Sequence, residues 1–396
     1  MLKAGQRVFV VGAVGEPQAL SQHLAGQPLP ADLEFVQFPL AGFNDTDFTA
    51  LSPTARLTSV FMTPALKGAD AARFAFLPMQ MRQFYDYLGQ GIDIALIQVA
   101  KDRDGHLRAA PNVDFLGAVL ASDALVVAQL NEQILAPPGC PLVPPARLAA
   151  LVPAAAPLPT VPAPAIDDTA AAVAGHVAGL IADGDCLQTG IGAIPTAILR
   201  GLGDKNDLGW HGGLVDDAVL DLIRAGNLTG RRKRIDAGVH ITGMALCSQA
   251  GHELLADLPS VQFRGACYTH DAEVIRQLDR FVSVNSAVQV DLSGQINAEV
   301  VGGRQISGTG GSVDFMRAAR RSNGGRSIVA LGATARGGSV SRIVPTVEQV
   351  TALRTDIDLV VTEYGVASLR DLPLAARREA LIAIAAPEFR AALREA

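Results

Sequence analysis

Residues 183–226 read DGDCLQTGIGAIPTAILRGLGDKNDLGWHGGLVDDAVLDLIRAG, and the turn Gly190-Ile191-Gly192 near their start decides the fold. A short apolar run, residues 186–189, enters that turn. Ala193-Ile194-Pro195-Thr196-Ala197-Ile198-Leu199 leaves it as a predicted helix with proline in its first turn. The order is strand, tight turn, helix. Glycine lets a ligand come close to main-chain N–H groups, and the helix start adds its positive dipole end, so a developing negative charge is favoured there. Plain packing of a strand against a helix gives the same Gly-x-Gly pattern, so the turn alone assigns no function.

The same plan recurs at the N-terminus, where residues 7–11 read as a strand, Gly12-Ala13-Val14-Gly15-Glu16-Pro17 as the turn and residues 18–24 as a helix. IDIALIQV, residues 92–99, is a nearly continuous apolar run, the pattern of a strand buried on both faces of a parallel sheet. Helices are expected over residues 79–88 and 116–120, and a strand over 124–128. From residue 136 to 167 prolines and alanines dominate and periodicity is lost, so this stretch is expected to join two domains, 1–165 and 166–396. Beyond it a helix starts near Asp168. Strands are expected over 234–241, 263–266, 281–284, 288–292, 327–331 and 359–362, with a helix over 374–386. Both halves therefore read as α/β, and the two similar glycine turns suggest a duplicated architecture.

A chain of 396 residues that is 49% apolar can bury a large core. A formal charge of -6 and a pI near 5.7 argue against a nucleic-acid partner. The one basic run, Arg231-Arg232-Lys233-Arg234, reads as a solvated loop. The first apolar run is too short to span a bilayer and is broken by glycine, so no membrane partner and a cytoplasmic location are expected. Cys140, Cys186, Cys247 and Cys267 show no close pairing, which points away from a metal site or a disulfide framework.

Several segments together resemble the acetyl-CoA hydrolase/transferase family of class I CoA transferases, of the 4-hydroxybutyrate/acetate CoA-transferase type. They are LQTGIGAIPTAIL, DLGWHGGLVDDAVLDLIRAGNLTG, VNSAVQVDLSGQINAEVVGG, SGTGGSVDFMRAARRSNGGRSIVAL, ATARGGSVSRIVP and TDIDLVVTEYGVASLR, in collinear order. DGHLRAAPNVDF in the N-terminal half is a fainter match. The resemblance implies two similar open α/β domains with an acyl-CoA held at their interface, coenzyme A as the carrier, a carboxylic acid as a possible second substrate, no metal, and a homodimer or an assembly with a homologue. It implies a glutamate nucleophile and acyl-glutamyl and glutamyl-CoA intermediates, with backbone donors for the oxyanion. Carried over by position, the donors are Ile191, Gly192 and Gly338. Gly190, Asn297, Gly302, Gly303, Gly310, Gly311, Gly337 and Glu363 are the positions expected to line the thioester and pantetheine cleft.

The family pattern around its nucleophile, His-x-Glu-Met-x-x-Asp-Gly, falls on His211-Gly212-Gly213-Leu214-Val215-Asp216-Asp217-Ala218, so the glutamate position is Gly213. A second family glutamate falls on Gln289. Glycine cannot attack a thioester. Asp216 is the candidate replacement, as base or displaced nucleophile, although Val-Asp-Asp before an apolar run is also ordinary helix-start chemistry. His211 is a candidate acid or base. Cys186 could act only as an activated thiolate, and no neighbouring cation in the sequence marks it for that. Glu16 stands at a strand end, and Arg304, Arg317 and Arg342 could meet CoA phosphates. Three readings follow: an acyl-CoA enzyme with non-standard chemistry such as hydrolysis, lyase or decarboxylase action; a conventional CoA-transferase with a displaced nucleophile; and a CoA-binding subunit or sensor without catalysis.

Overall fold

The strand Arg7–Val10 sits inside a sheet whose order is Phe74–Phe76, Arg56–Ser59, Glu34–Gln37, Arg7–Val10, Ile94–Lys101, Leu125–Leu135 and Leu148–Ala154, every neighbouring pair parallel. The structure, a computed structural model, describes residues 2–109, 111–160, 162 and 164–396. Leu107–Ala109 folds back antiparallel on Ile94–Lys101. Residues 94–100 are buried throughout, as an apolar run covered on both faces of a parallel sheet requires. A second sheet runs Gly209–Trp210, Cys186–Thr189, Phe281–Asn285, Arg326–Ala330 and Leu359–Thr362 in parallel, and Gly365–Ser368 closes it antiparallel.

Both glycine turns leave their sheets where strand order reverses. In the first sheet the chain moves outward from Arg7–Val10 and then crosses to Ile94–Lys101 on its other side. In the second, Gly209–Trp210 flanks Cys186–Thr189 on one side and Phe281–Asn285 on the other. Open parallel sheets form ligand crevices at such switch points, outside the strands' C-terminal ends.

Three expectations are corrected, the simplest being the strand over 263–266: the strand is Val261–Phe263, and by Ala266 the chain has entered the helix Ala266–Thr269. Residues 136–167 are not a structureless connection throughout, because Leu148–Ala154 lies inside them as an edge strand of the first sheet. Its side chains are half-buried or exposed and include Pro153, which an edge position tolerates. Residues 161 and 163 of that stretch lie outside the described residues. Residues 234–241 are not one strand either: the chain turns at Asp236 (φ 51°) and Gly238 (φ 79°), and only His240–Thr242 is extended. The basic run before it is solvated at its arginines, with Arg231 on Asp207 (2.8 Å), but Lys233 is buried and donates to the carbonyls of Trp210 (3.2 Å) and Val239 (3.0 Å).

The halves are stitched together. The amide of Val113 donates to Gly243 (2.9 Å), that of Ala245 to Pro111 (2.9 Å) and that of Ala266 to Asp114 (2.7 Å). One apolar cluster runs across both sheets, from Phe9 and Ile97 to Ile198, Val284 and Val361. The helix Met81–Leu88 adds a polar seam, with Arg82 Nε on Asp271 (3.1 Å).

Candidate active site between the halves

Gly192 takes φ 112°, a backbone that side chains resist, and caps the helix Ala193–Arg200. The preceding Gly190 amide is used by the sheet, donating to Val284 (3.1 Å), while the Ile191 side chain stands out at 52% exposure. Beside this turn lies a cavity of about 250 Å³ whose walls include Phe43 from the first half, Pro164 from the connection, and Ile191, Gly192, Asp216 and Leu246. Three expected site residues, Ile191, Gly192 and Asp216, therefore share one pocket.

Asp216 is the N-cap of the helix Asp217–Arg224, accepting from the Val219 amide at 3.0 Å. Burial, the largest influence, raises its pKa above the ordinary carboxylate range. Asp217 reaches a different helix: it accepts from the amide (2.9 Å) and hydroxyl (2.8 Å) of Ser248, the N-cap of Gln249–Leu255.

Gly213 precedes the short strand Leu214–Val215, and its carbonyl accepts from the amides of Gly243 (3.1 Å) and Met244 (3.0 Å). A Cβ at this position would stand 3.1 Å from Cε1 and 3.2 Å from Nε2 of His270. A Cβ at Gly311 would collide with the same Nε2. The imidazole is thus clamped between two glycine backbones and rests on Phe315, with ring centroids 4.5 Å apart. Burial without a counter-charge pushes its pKa down to about 3, so the ring is neutral at working pH. On the carbonyl side of the same segment, Gly243 lies against the carboxyl of Asp114, which is 1% exposed and has no hydrogen-bond partner on either oxygen. Burial alone pushes that acid up to about 8.

The other expected residues are dispersed. His211 is wholly buried, with Nε2 3.2 Å from the Thr269 carbonyl; burial pushes its pKa down to about 3, which fits packing better than proton transfer. Asn297 spends its amide on the turn it closes, donating to Gln289 (3.0 Å) and the Val300 carbonyl (2.8 Å) and accepting from the amides of Glu299 and Val300. Gly302 and Gly303 form a hairpin tip whose amides both donate to Glu348. Gly310 packs near Phe61 of the first half, and the neighbouring Thr309 hydroxyl donates to Met79 (3.0 Å). Gly337 and Gly338 form the tip between Thr334–Ala335 and Val340–Ser341, with φ 65° and 91°. Glu363 accepts from the Ala333 amide (2.8 Å), and buried Glu16 accepts from Asn44. Arg317 pairs with Asp356 (3.1 Å), while Cys186 is buried and pushed up to about 12, so it holds no thiolate at neutral pH. Sequence reading missed His270 and missed the isolation of Asp114.

Family models match both ends of the chain: residues 1–137 fit the acetyl-CoA hydrolase/transferase N-terminal domain and residues 248–396 its C-terminal domain. The 4-hydroxybutyrate coenzyme A transferase of Clostridium kluyveri is 34% identical, the match covering 98% of this chain and 92% of that protein. An acetyl-CoA hydrolase of Candida albicans is 30% identical over 53% of this chain and 40% of its own length. Among solved structures, RipA from Yersinia pestis superposes with a TM-score of 0.93 at 29% identity, covering 100% of this chain and 94% of that one.

Proposed function

The chain belongs to the acetyl-CoA hydrolase/transferase family and is one of its enzymes; on that footing we propose that it hydrolyses an acyl-CoA thioester held between its halves. The observation that carries this is the setting of Gly213. That position has no side chain, and an imidazole occupies the direction a side chain would take. A ping-pong exchange needs a carboxylate able to form an anhydride and then a thioester with coenzyme A. The acids nearest in the sequence are otherwise engaged, Asp216 as a helix cap and Asp217 on Ser248, and Asp114 is sealed from solvent. Water is then the acceptor that remains. The turn at Ile191 and Gly192 supplies main-chain donors and a helix start for the oxyanion, and the adjoining cavity takes the acyl group.

The test is release of free thiol from a panel of short-chain acyl-CoA esters, with and without acetate. Release that needs no carboxylate supports hydrolysis, and release that depends on acetate overturns it. A second reading, transfer through Asp216, is favoured by one observation: Asp216 lines the same cavity as Ile191 and Gly192. A covalent coenzyme A adduct on that residue, detected by mass spectrometry, would establish it.

A further inference from the structure

The cavity beside Ile191 and Gly192 has an apolar interior and a charged rim. Leu246, Ala218 and Thr196 are buried in its wall, Phe43 is half-buried, and Arg200 and Asp221 are exposed. Among the described residues the amides of Ile191 and Gly192 donate to no carbonyl, so both are open to a thioester oxygen at the cavity's edge. Phe43 is the first half's contribution, and its place is fixed. Its amide donates to Leu40 (3.0 Å), while the side chain of the next residue, buried Asn44, accepts from the amides of Leu40 (2.8 Å) and Ala13 (2.7 Å). The ring packs with Ala13, Val14, Leu40, Met244 and Leu246 in one apolar cluster that crosses the two halves.

We infer that this cavity selects an uncharged, apolar acyl group of about six carbons, and that Phe43 is the specificity-determining wall against which the chain packs. This rests on the reading that the cavity takes the acyl group, and it holds whether water or a carboxylate is the acceptor. Size argues for a chain longer than acetyl. At about 30 Å³ for each water-sized group, a cavity of about 250 Å³ has room for roughly eight non-hydrogen atoms. An acetyl group would leave most of that space to water and most of the apolar wall wet. Charge argues against a dicarboxylic acyl group. Asp216, Asp217 and Asp221 line the cavity and Arg200 is the one cation beside them, so a second carboxylate on the substrate would meet like charge.

The experiment measures kcat/KM for acetyl-, butyryl-, hexanoyl- and succinyl-CoA, with and without acetate, in the wild type, Phe43→Ala and Ala41→Phe. Each methylene buried is worth roughly fourfold, so hexanoyl-CoA is expected to exceed acetyl-CoA by on the order of 100-fold. Succinyl-CoA is expected at least about tenfold below butyryl-CoA. Phe43→Ala should move the optimum to chains longer than hexanoyl. Ala41→Phe, at an exposed position of the same wall, should cut the hexanoyl-to-acetyl ratio by at least about tenfold. If Phe43→Ala fails to fold, Ala41→Phe carries the test. Calorimetry of the thioethers S-ethyl-CoA and S-hexyl-CoA on the wild type needs no turnover, and the hexyl compound should bind on the order of 100-fold tighter. Equal affinities, equal use of acetyl- and hexanoyl-CoA, or an unchanged profile in a folded variant overturns this inference and leaves the hydrolytic reading standing. Release that depends on acetate but keeps the preference for hexanoyl overturns the hydrolytic reading and leaves this inference standing.

Discussion

Replacing Asp114 with asparagine should make the protein more stable, and increasingly so as pH rises. The carboxyl is 1% exposed, has no partner on either oxygen, and is pushed from an ordinary value of 3.8 up to about 8 by burial. Between those two values the folded chain holds a proton that the unfolded chain has released, so stability falls with rising pH across that window and levels off above it. Each unit is worth about 1.4 kcal/mol. The group therefore costs on the order of 1–2 kcal/mol at pH 5 and on the order of 5 kcal/mol at pH 8. Asparagine is uncharged at both. Its buried amide carries a cost of roughly 1–3 kcal/mol if unpaired, but that cost does not vary with pH. Urea unfolding of both proteins at pH 5 and pH 8 isolates the titration: the advantage of Asp114→Asn should grow by roughly 3–4 kcal/mol between the two. An advantage of equal size at both pH values would mean that the acid is solvated or paired in the folded protein.

Gly213→Glu alone should not produce CoA transfer to acetate, because its Cβ would lie 3.1 Å from the His270 ring; overpacking of this kind costs about 1–3 kcal/mol. Adding His270→Ala should relieve that cost and admit the carboxylate, visible as acetate-dependent exchange in the double variant and as non-additive unfolding free energies; additive energies would separate the two sites. Asp216→Ala should cost about 1 kcal/mol in urea unfolding through loss of the cap on Val219, and no loss would refute that role. His211→Gln, at a position buried among Thr269, Tyr268 and Phe281, should lower the melting temperature more than it lowers kcat. A drop in kcat of about 100-fold with unchanged melting would restore it as an acid or base.

Local chemistry made much of the fold legible. The run 92–99 announces a strand buried on both faces, and Gly190-Ile191-Gly192 followed by a proline-bearing apolar segment announces the turn and helix that the structure shows. Leu148–Ala154 was hidden because an edge strand needs little alternation and tolerates Pro153, which in sequence argues for a loop. Of the expected site positions, Ile191, Gly192 and Asp216, all within the segment 183–226, are the ones the structure places around one cavity. His270 gave no signal of its own. Its setting is made by glycines at 213 and 311, far away on either side in the sequence, and a glycine announces the backbone it permits rather than the ring it admits. Asp114 was read as part of a motif, while its isolation arises from Gly243 and the helix starting at Ala266.

The main-chain bonds from Pro111, Val113 and Asp114 to residues 243, 245 and 266, laid over an apolar cluster common to both sheets, make this chain a folded sheet of paper glued along its crease rather than a pair of jaws. Swinging the halves apart would break that crease and wet the interior. Cutting the chain near residue 155 should yield two pieces that are insoluble apart and recover activity only when refolded together.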